Sequence, residues 1–87
     1  MLTVFSTAKF NHSFKKLERQ TQLRVNQWIE KKLMISENPR QFGKNLCGNL
    51  AGLWRYRLGD LRIICKIDDT SASILMLSIG HRDAIYA

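Results

Sequence analysis

The chain has 87 residues, of which 45% are hydrophobic, and its 14 lysines and arginines outnumber 7 acidic residues to give a net charge of +7. This length suits one small domain over residues 1–87, and the hydrophobic content argues against a disordered chain. The charge predicts a polyanionic partner, which can be nucleic acid, anionic lipid or an acidic protein.

The two cysteines, Cys47 and Cys65, are too few for a disulfide framework, and their spacing matches no metal-ligand motif. They predict reduced thiols in a cytoplasmic protein. The first five residues lack the charged segment of a signal peptide, and no apolar run reaches the roughly 20 residues that cross a bilayer. We therefore expect no metal, no cofactor and no membrane partner.

The N-terminal third predicts a strand and two helices. Residues 2–5 form an apolar, β-favouring run. Ser6 or Thr7 can cap the first helix, in which apolar residues recur at helical spacing. A break near Gln20–Thr21 then separates it from a second amphipathic helix that runs to about Ser36 and packs antiparallel to the first.

The rest of the chain predicts a sheet. Pro39 ends the second helix, and the glycines and asparagines of residues 40–52 indicate a loop. Residues 53–68 form a hairpin around the turn Gly59–Asp60, and the apolar run 74–79 predicts an interior strand covered on both faces. The order β-α-α-β-β-β defines a small α+β fold, with two N-terminal antiparallel helices packed on a curled, mainly antiparallel sheet.

The hairpin carries the most informative charges of the chain. Its two-residue turn places Arg57 opposite Arg62, with Arg55 on the same face, whereas Trp54 and Tyr56 point to the core. Like charges directly opposite each other destabilise a sheet. We interpret the arginines as a phosphate-binding set, and the alternative is a plain surface patch.

Further candidates flank the hairpin. Arg82 and Tyr86 follow the last strand, where the tyrosine stacks on a base, acts as an acid or base, or is an ordinary C-terminal aromatic. His81 is expected to point away from Arg82, because successive residues of an extended chain alternate. Lys44 and Arg40 lie in the predicted loop and could contact a nucleic-acid backbone.

The helical lysines, including Lys31 and Lys32, are either further backbone contacts or a solvated face. The sequence contains no nucleophile–base constellation and no phosphate-binding glycine motif. Any transfer chemistry would therefore rest on cationic stabilisation of a phosphate.

Three segments resemble the RelE/ParE toxin superfamily, and its RelE branch most of all. They are Asn38-Pro39-Arg40, the hairpin region 50–64, and residues 79–86, which begin Ile-Gly-His-Arg and end in tyrosine. The resemblance extends over essentially the whole chain. It implies a RelE-like domain and the toxin of a type II toxin–antitoxin pair. It also implies a metal-independent endoribonuclease that cuts messenger RNA in the ribosomal A site through attack of the ribose 2′-hydroxyl on the adjacent phosphate, so that translation stops.

The same resemblance implies roles for five residues. Arg62 and Arg82 would hold the scissile phosphate, Arg55 and Arg57 would support charge and orientation, and Tyr86 would stack on a base or assist proton transfer. The best-known relatives carry lysine at the positions of Arg55 and Arg57. An arginine is effectively never deprotonated, so neither can readily act as the general base. Either Tyr86 is the base, or the reaction depends on electrostatic stabilisation alone.

Partners also follow from the resemblance. An acidic antitoxin would neutralise the basic surface, and the complex of the two proteins would bind operator DNA. Two other functions remain open at this point. One is a ParE-like toxin that poisons DNA gyrase, and the other is an inactive member that only binds antitoxin and operator DNA.

Overall fold

The computed structural model describes residues 1–85 and shows helices packed on a five-stranded sheet, which confirms the α+β class. The sheet has the order β1-β5-β4-β3-β2, in which β1 and β5 are parallel and all other neighbours antiparallel. The elements are β1 (Thr3–Ser6), α1 (Ala8–Lys15), α2 (Arg19–Trp28), β2 (Gly43–Asn45), β3 (Trp54–Leu58), β4 (Leu61–Asp68), β5 (Ser73–His81) and α3 (Arg82–Ile85).

The predicted cap of the first helix is confirmed, because the Thr7 hydroxyl accepts a hydrogen bond of 3.1 Å from the Phe10 backbone N–H. The predicted break at Gln20–Thr21 is wrong, since both residues lie inside α2. The chain instead turns at residues 16–18, where the Gln22 side chain donates a hydrogen bond of 2.9 Å to the Leu17 carbonyl. This bond satisfies a carbonyl between the helices and permits a very short connection.

The second helix also ends differently from the prediction. It continues from α2 into a π-helical turn, Ile29–Leu33, and stops before the predicted end at Ser36. The wider turn is closed by the Met34 N–H, which donates to the Ile29 carbonyl at 2.8 Å. Pro39 does not end this helix but begins a separate 3₁₀ turn, Pro39–Phe42.

Residues 40–52, predicted as a loop, contain the edge strand β2 and a second 3₁₀ turn, Gly48–Leu50. A strand of three residues is too short to show an alternating pattern. Two contacts hold it beside β3. Gly43 lies so close to Tyr56 that a Cβ there would be 3.0 Å from the Tyr56 Cε1 atom, and the Tyr56 hydroxyl donates a 2.9 Å hydrogen bond to the Pro39 carbonyl.

Strand β5 lies between β1 and β4, as an interior strand should. Ile74 and Met76 are fully buried against the helices, but Leu75 and Leu77 on the opposite side are only half-buried, so the predicted cover of both faces is incomplete. Beyond the sheet, the predicted tail forms the short helix α3. No helix within the described part of the chain is long and apolar enough to span a membrane.

Candidate nucleic-acid interface

The predicted hairpin register is confirmed. Arg57 pairs with Arg62 across β3 and β4, and Leu58 pairs with Leu61 around the two-residue turn. Gly59 in that turn has φ +59°, a conformation that glycine adopts without strain. The turn chemistry therefore places two arginines directly opposite each other.

Strand β2 adds a fourth cation to this side of the sheet. Lys44 pairs with Arg55, so the two side chains leave the sheet on the same face as Arg57 and Arg62. We call these four residues the basic face: Lys44, Arg55, Arg57 and Arg62. The sequence placed Lys44 in a loop, and only the register of β2 shows that it belongs to this face.

Arg62 is the buried member of the basic face, with 7% of its surface exposed. Its Nη1 atom donates hydrogen bonds of 2.8 Å to the Gly59 carbonyl and 3.0 Å to the Leu61 carbonyl. Among residues 1–85 no carboxylate forms an ion pair with it. A charge held out of water without a counter-charge is costly, and an anion bound here would complete the site.

Arg55 is half-buried, and its Nε–H is shielded from solvent without a hydrogen-bond partner within the described residues. Buried polar groups are normally paired, so this donor is available to a ligand. Its opposite neighbour in β4 is Ile64, which is 5% exposed. Ile64 opens onto a largely apolar surface cavity of about 350 Å³, whose lining is Thr7, Lys9, Leu50, Leu53, Ile64, Leu77 and Ser78.

Arg82 lies at the end of the sheet near the same hairpin. Its backbone N–H donates to the Asp60 carbonyl at 2.9 Å, and its exposed side chain approaches Asp83, with 3.7 Å between Nε and Oδ1. Contrary to the sequence prediction, His81 and Arg82 line one cavity, of about 450 Å³, together with Asp60 and Asp83. The alternation fails because the chain leaves the extended conformation at Arg82, where α3 begins.

Arg40 is engaged away from the basic face. Its guanidinium forms two hydrogen bonds with Asp69, of 2.7 and 3.0 Å, and lies 5.6 Å from the centre of the Trp54 ring. The hydrogen bond from Arg40 lowers the pKa of the Asp69 carboxyl, and the same bond raises the pKa of Arg40. Arg40 thus ties the segment that leads into β2 to the turn between β4 and β5.

The remaining predicted residues are not on the basic face. Lys31 and Lys32 lie exposed on the π-helical turn, outside the strands. Tyr86 lies outside the described residues. Within residues 1–85, no three histidine, cysteine, aspartate or glutamate side chains are grouped closely enough to hold a metal ion.

This arrangement of helices on a five-stranded sheet is the fold of the RelE toxins. A chain in the crystal structure of the toxin–antitoxin complex RelBE2 from Mycobacterium tuberculosis superposes with a TM-score of 0.84 and 28% identity, covering 93% of this chain and 98% of that one. A chain of the archaeal RelE–RelB complex from Pyrococcus horikoshii OT3 gives a TM-score of 0.72 at 23% identity, over 95% and 97% of the two chains, and shows the fold alone.

The sequence relatives agree with the fold. Toxin RelG from Mycobacterium tuberculosis is 36% identical over 52 residues, a segment that spans 60% of this chain and 60% of that relative's length. Residues 4–86 match the family described as the ParE toxin of type II toxin–antitoxin systems. The chain therefore belongs to this family, within the RelE/ParE superfamily.

Proposed function

We propose that this chain is a toxin that cuts messenger RNA in the ribosomal A site and so inhibits translation. The observation that carries the proposal is the buried guanidinium of Arg62, which has no carboxylate partner among residues 1–85. Three further cations share its face of the sheet. A phosphodiester group supplies the missing anion, with oxygens suited to the guanidinium fork.

In the proposed reaction the ribose 2′-oxygen attacks the adjacent phosphorus, and the bond from phosphorus to the 5′-oxygen breaks. The products are a 2′,3′-cyclic phosphate and a 5′-hydroxyl, with one proton removed from the 2′-hydroxyl and one delivered to the leaving oxygen. Negative charge builds on the phosphate oxygens in the transition state. Donors already fixed in place stabilise that charge most effectively, and the backbone bonds of Arg62 fix its Nη1.

We propose a role for each of the arginines, as the resemblance to RelE toxins implies. Arg62 and Arg82 bind the scissile phosphate, while Arg55 and Arg57 supply charge and orientation beside it. Neither arginine of β3 can accept the proton, so this task falls to Tyr86 in our proposal. His81 shares a cavity with Arg82, Asp60 and Asp83.

We propose that lysines contact the RNA on either side of the cleaved bond. Lys44 contacts it from the end of the basic face, and Lys31 and Lys32 are proposed as contacts with ribosomal RNA. Arg40 was expected to contribute in the same way, but its ion pair with Asp69 supports a different role, that of holding β2 in register.

We further propose that residues 1–87 act as one domain in the cytoplasm and bind an acidic antitoxin. Support comes from the solved neighbours, several of which are toxin–antitoxin complexes, and from the net charge of +7. A flexible acidic segment laid across the basic face would supply carboxylates to Arg62 and block RNA. Operator DNA would be bound through that complex.

One alternative has a specific observation in its favour. The matching family is described by the ParE toxin, which supports a toxin that poisons DNA gyrase by binding it. We favour RNA cleavage over this alternative, because the buried guanidinium of Arg62, which has no carboxylate partner among residues 1–85, fits a phosphodiester group. An inactive member that binds only antitoxin and operator DNA would differ from the proposed ribonuclease in leaving messages uncut.

Primer extension on a translated message tests the proposal. Induced wild-type protein should give cuts within A-site codons, Arg82→Ala should lose them, and Arg19→Ala, which removes an exposed arginine at the start of α2, should keep them. Gyrase-dependent DNA breaks without message cuts would establish the ParE-like alternative. Normal growth, with neither message cuts nor DNA breaks, would establish the alternative of an inactive member.

A further inference from the structure

An arginine outside the basic face lies beside the hairpin turn. Arg24 belongs to α2, and a Cβ added at Gly59 would be 3.5 Å from its Nη2 atom. The guanidinium therefore lies against the glycine of the turn. Nothing in the spacing of the sequence singles out Arg24, because the proximity depends on how α2 packs against the sheet.

Arg24 and Arg57 line the same surface cavity, of about 270 Å³, with Trp28, Leu58 and Gly59. The Trp28 ring forms an ordered wall, because it packs edge-on against Tyr56 with a centroid distance of 5.0 Å. Apolar and backbone atoms thus supply the rest of the lining. The cavity combines two guanidinium groups with a rigid aromatic side.

The two arginines have no counter-charge of their own. Among residues 1–85 neither forms an ion pair, and Asp60, the acidic residue of the turn beside them, is exposed and makes none either. Two exposed cations that line one surface cavity repel each other weakly, and an anion bound between them would offset that repulsion. The charge arrangement thus favours an anionic ligand.

The cavity is continuous with the basic face. Strand β2 pairs with β3 only as far as Tyr56, which leaves Arg57 at the uncovered end of the strand. Arg57 also lies opposite Arg62. Arg57 therefore borders both the basic face and the Arg24 cavity, and a polyanion crossing one would continue into the other.

We propose that Arg24 and Arg57 bind an RNA phosphodiester group next to the one held at Arg62. This inference rests on the proposed ribonuclease function. The shared chemistry is the phosphodiester of an RNA backbone, and that phosphate can belong either to the message or to ribosomal RNA.

The test measures cleavage of a short message on programmed ribosomes as the concentration of ribosome complex is varied. Arg24→Gln should raise the half-saturating concentration about three- to tenfold and leave the maximal rate unchanged. It should also reduce the slope of log affinity against log salt by about 0.7, the loss of one phosphate contact. Arg19→Gln removes one charge from the same helix outside the cavity and should change neither quantity.

If Arg24→Gln and Arg19→Gln had the same half-saturating concentration and salt slope, this inference would be overturned. Cleavage by the wild type would still support the proposed function in that case. No cleavage by wild type would refute both. Messages with one uncharged methylphosphonate linkage identify the source of the phosphate. If the phosphate is in the message, wild type and Arg24→Gln should have the same half-saturating concentration when one particular linkage is modified. If the phosphate is ribosomal, their half-saturating concentrations should differ whichever linkage is modified.

Discussion

Lys44 lies directly opposite Arg55 in the register of β2 against β3, although ten residues, two of them glycines, lie between them in the chain. This pairing depends on contacts behind the sheet. The Tyr56 hydroxyl donates a hydrogen bond to the Pro39 carbonyl, and the Arg40 guanidinium forms an ion pair with Asp69. The edge of the basic face is therefore set by residues that do not belong to it.

Gly43→Ala should displace β2. The new Cβ would be 3.0 Å from Tyr56 Cε1, and the fully buried ring has no room to retreat. We expect a loss of about 1–3 kcal/mol in the free energy of unfolding, measured by urea denaturation. Gly80→Ala is the matched control, because its Cβ would make only an ordinary contact of 3.6 Å with Ile85. Equal stability of the two variants would contradict the tight approach.

Asp69→Asn should alter the pH dependence of stability. The Arg40 hydrogen bond lowers the pKa of Asp69 below its ordinary value of 3.8, so its stabilisation is complete above that value and is lost as pH falls through the lowered pKa. Wild type should therefore exceed Asp69→Asn in stability at neutral pH, and the gap should close in strong acid. Glu37→Gln, which removes an exposed carboxylate that forms no ion pair within residues 1–85, should show no such gap. A gap that is independent of pH would exclude the ion pair as its cause.

Arg62→Met should stabilise the isolated protein and abolish cleavage. Arg62 has no counter-charge among residues 1–85, so its removal relieves the desolvation of a buried charge, a gain that we expect to exceed the two lost carbonyl bonds by about 1 kcal/mol. Thermal unfolding and primer extension measure the two effects. Arg57→Met, at the exposed position opposite, should give a smaller gain. An Arg62→Met protein less stable than wild type would show that the carbonyl bonds dominate.

The two cysteines should differ in reactivity. Cys47 is exposed, whereas burial raises the pKa of the Cys65 thiol to about 12. At about pH 8 an alkylating reagent should modify Cys47 rapidly and reach Cys65 only on unfolding, as mass spectrometry of the intact protein would show. In Cys47→Ser the native protein should remain unlabelled. Rapid labelling of that variant would contradict the buried position of Cys65.

The sequence was informative where local chemistry decides structure. The Gly59 turn and the alternation around it predicted the pairing of Arg57 with Arg62 and the inward direction of Tyr56, because a two-residue turn permits one register. The sequence did not predict the features that depend on tertiary contacts. Strand β2 exists because of Tyr56 and Pro39, and Arg24 reaches the turn through helix packing, which no local pattern encodes.

The parallel pairing of β1 with β5 has a consequence for biosynthesis. Strand β1 pairs with β5, in which Thr3 lies opposite Ser73. The sheet can therefore be completed only after most of the polypeptide has been synthesised. The hairpin that bears the arginines is made earlier, but it lacks β5 to support it until then. The support of the basic face by β5 is therefore completed late in synthesis.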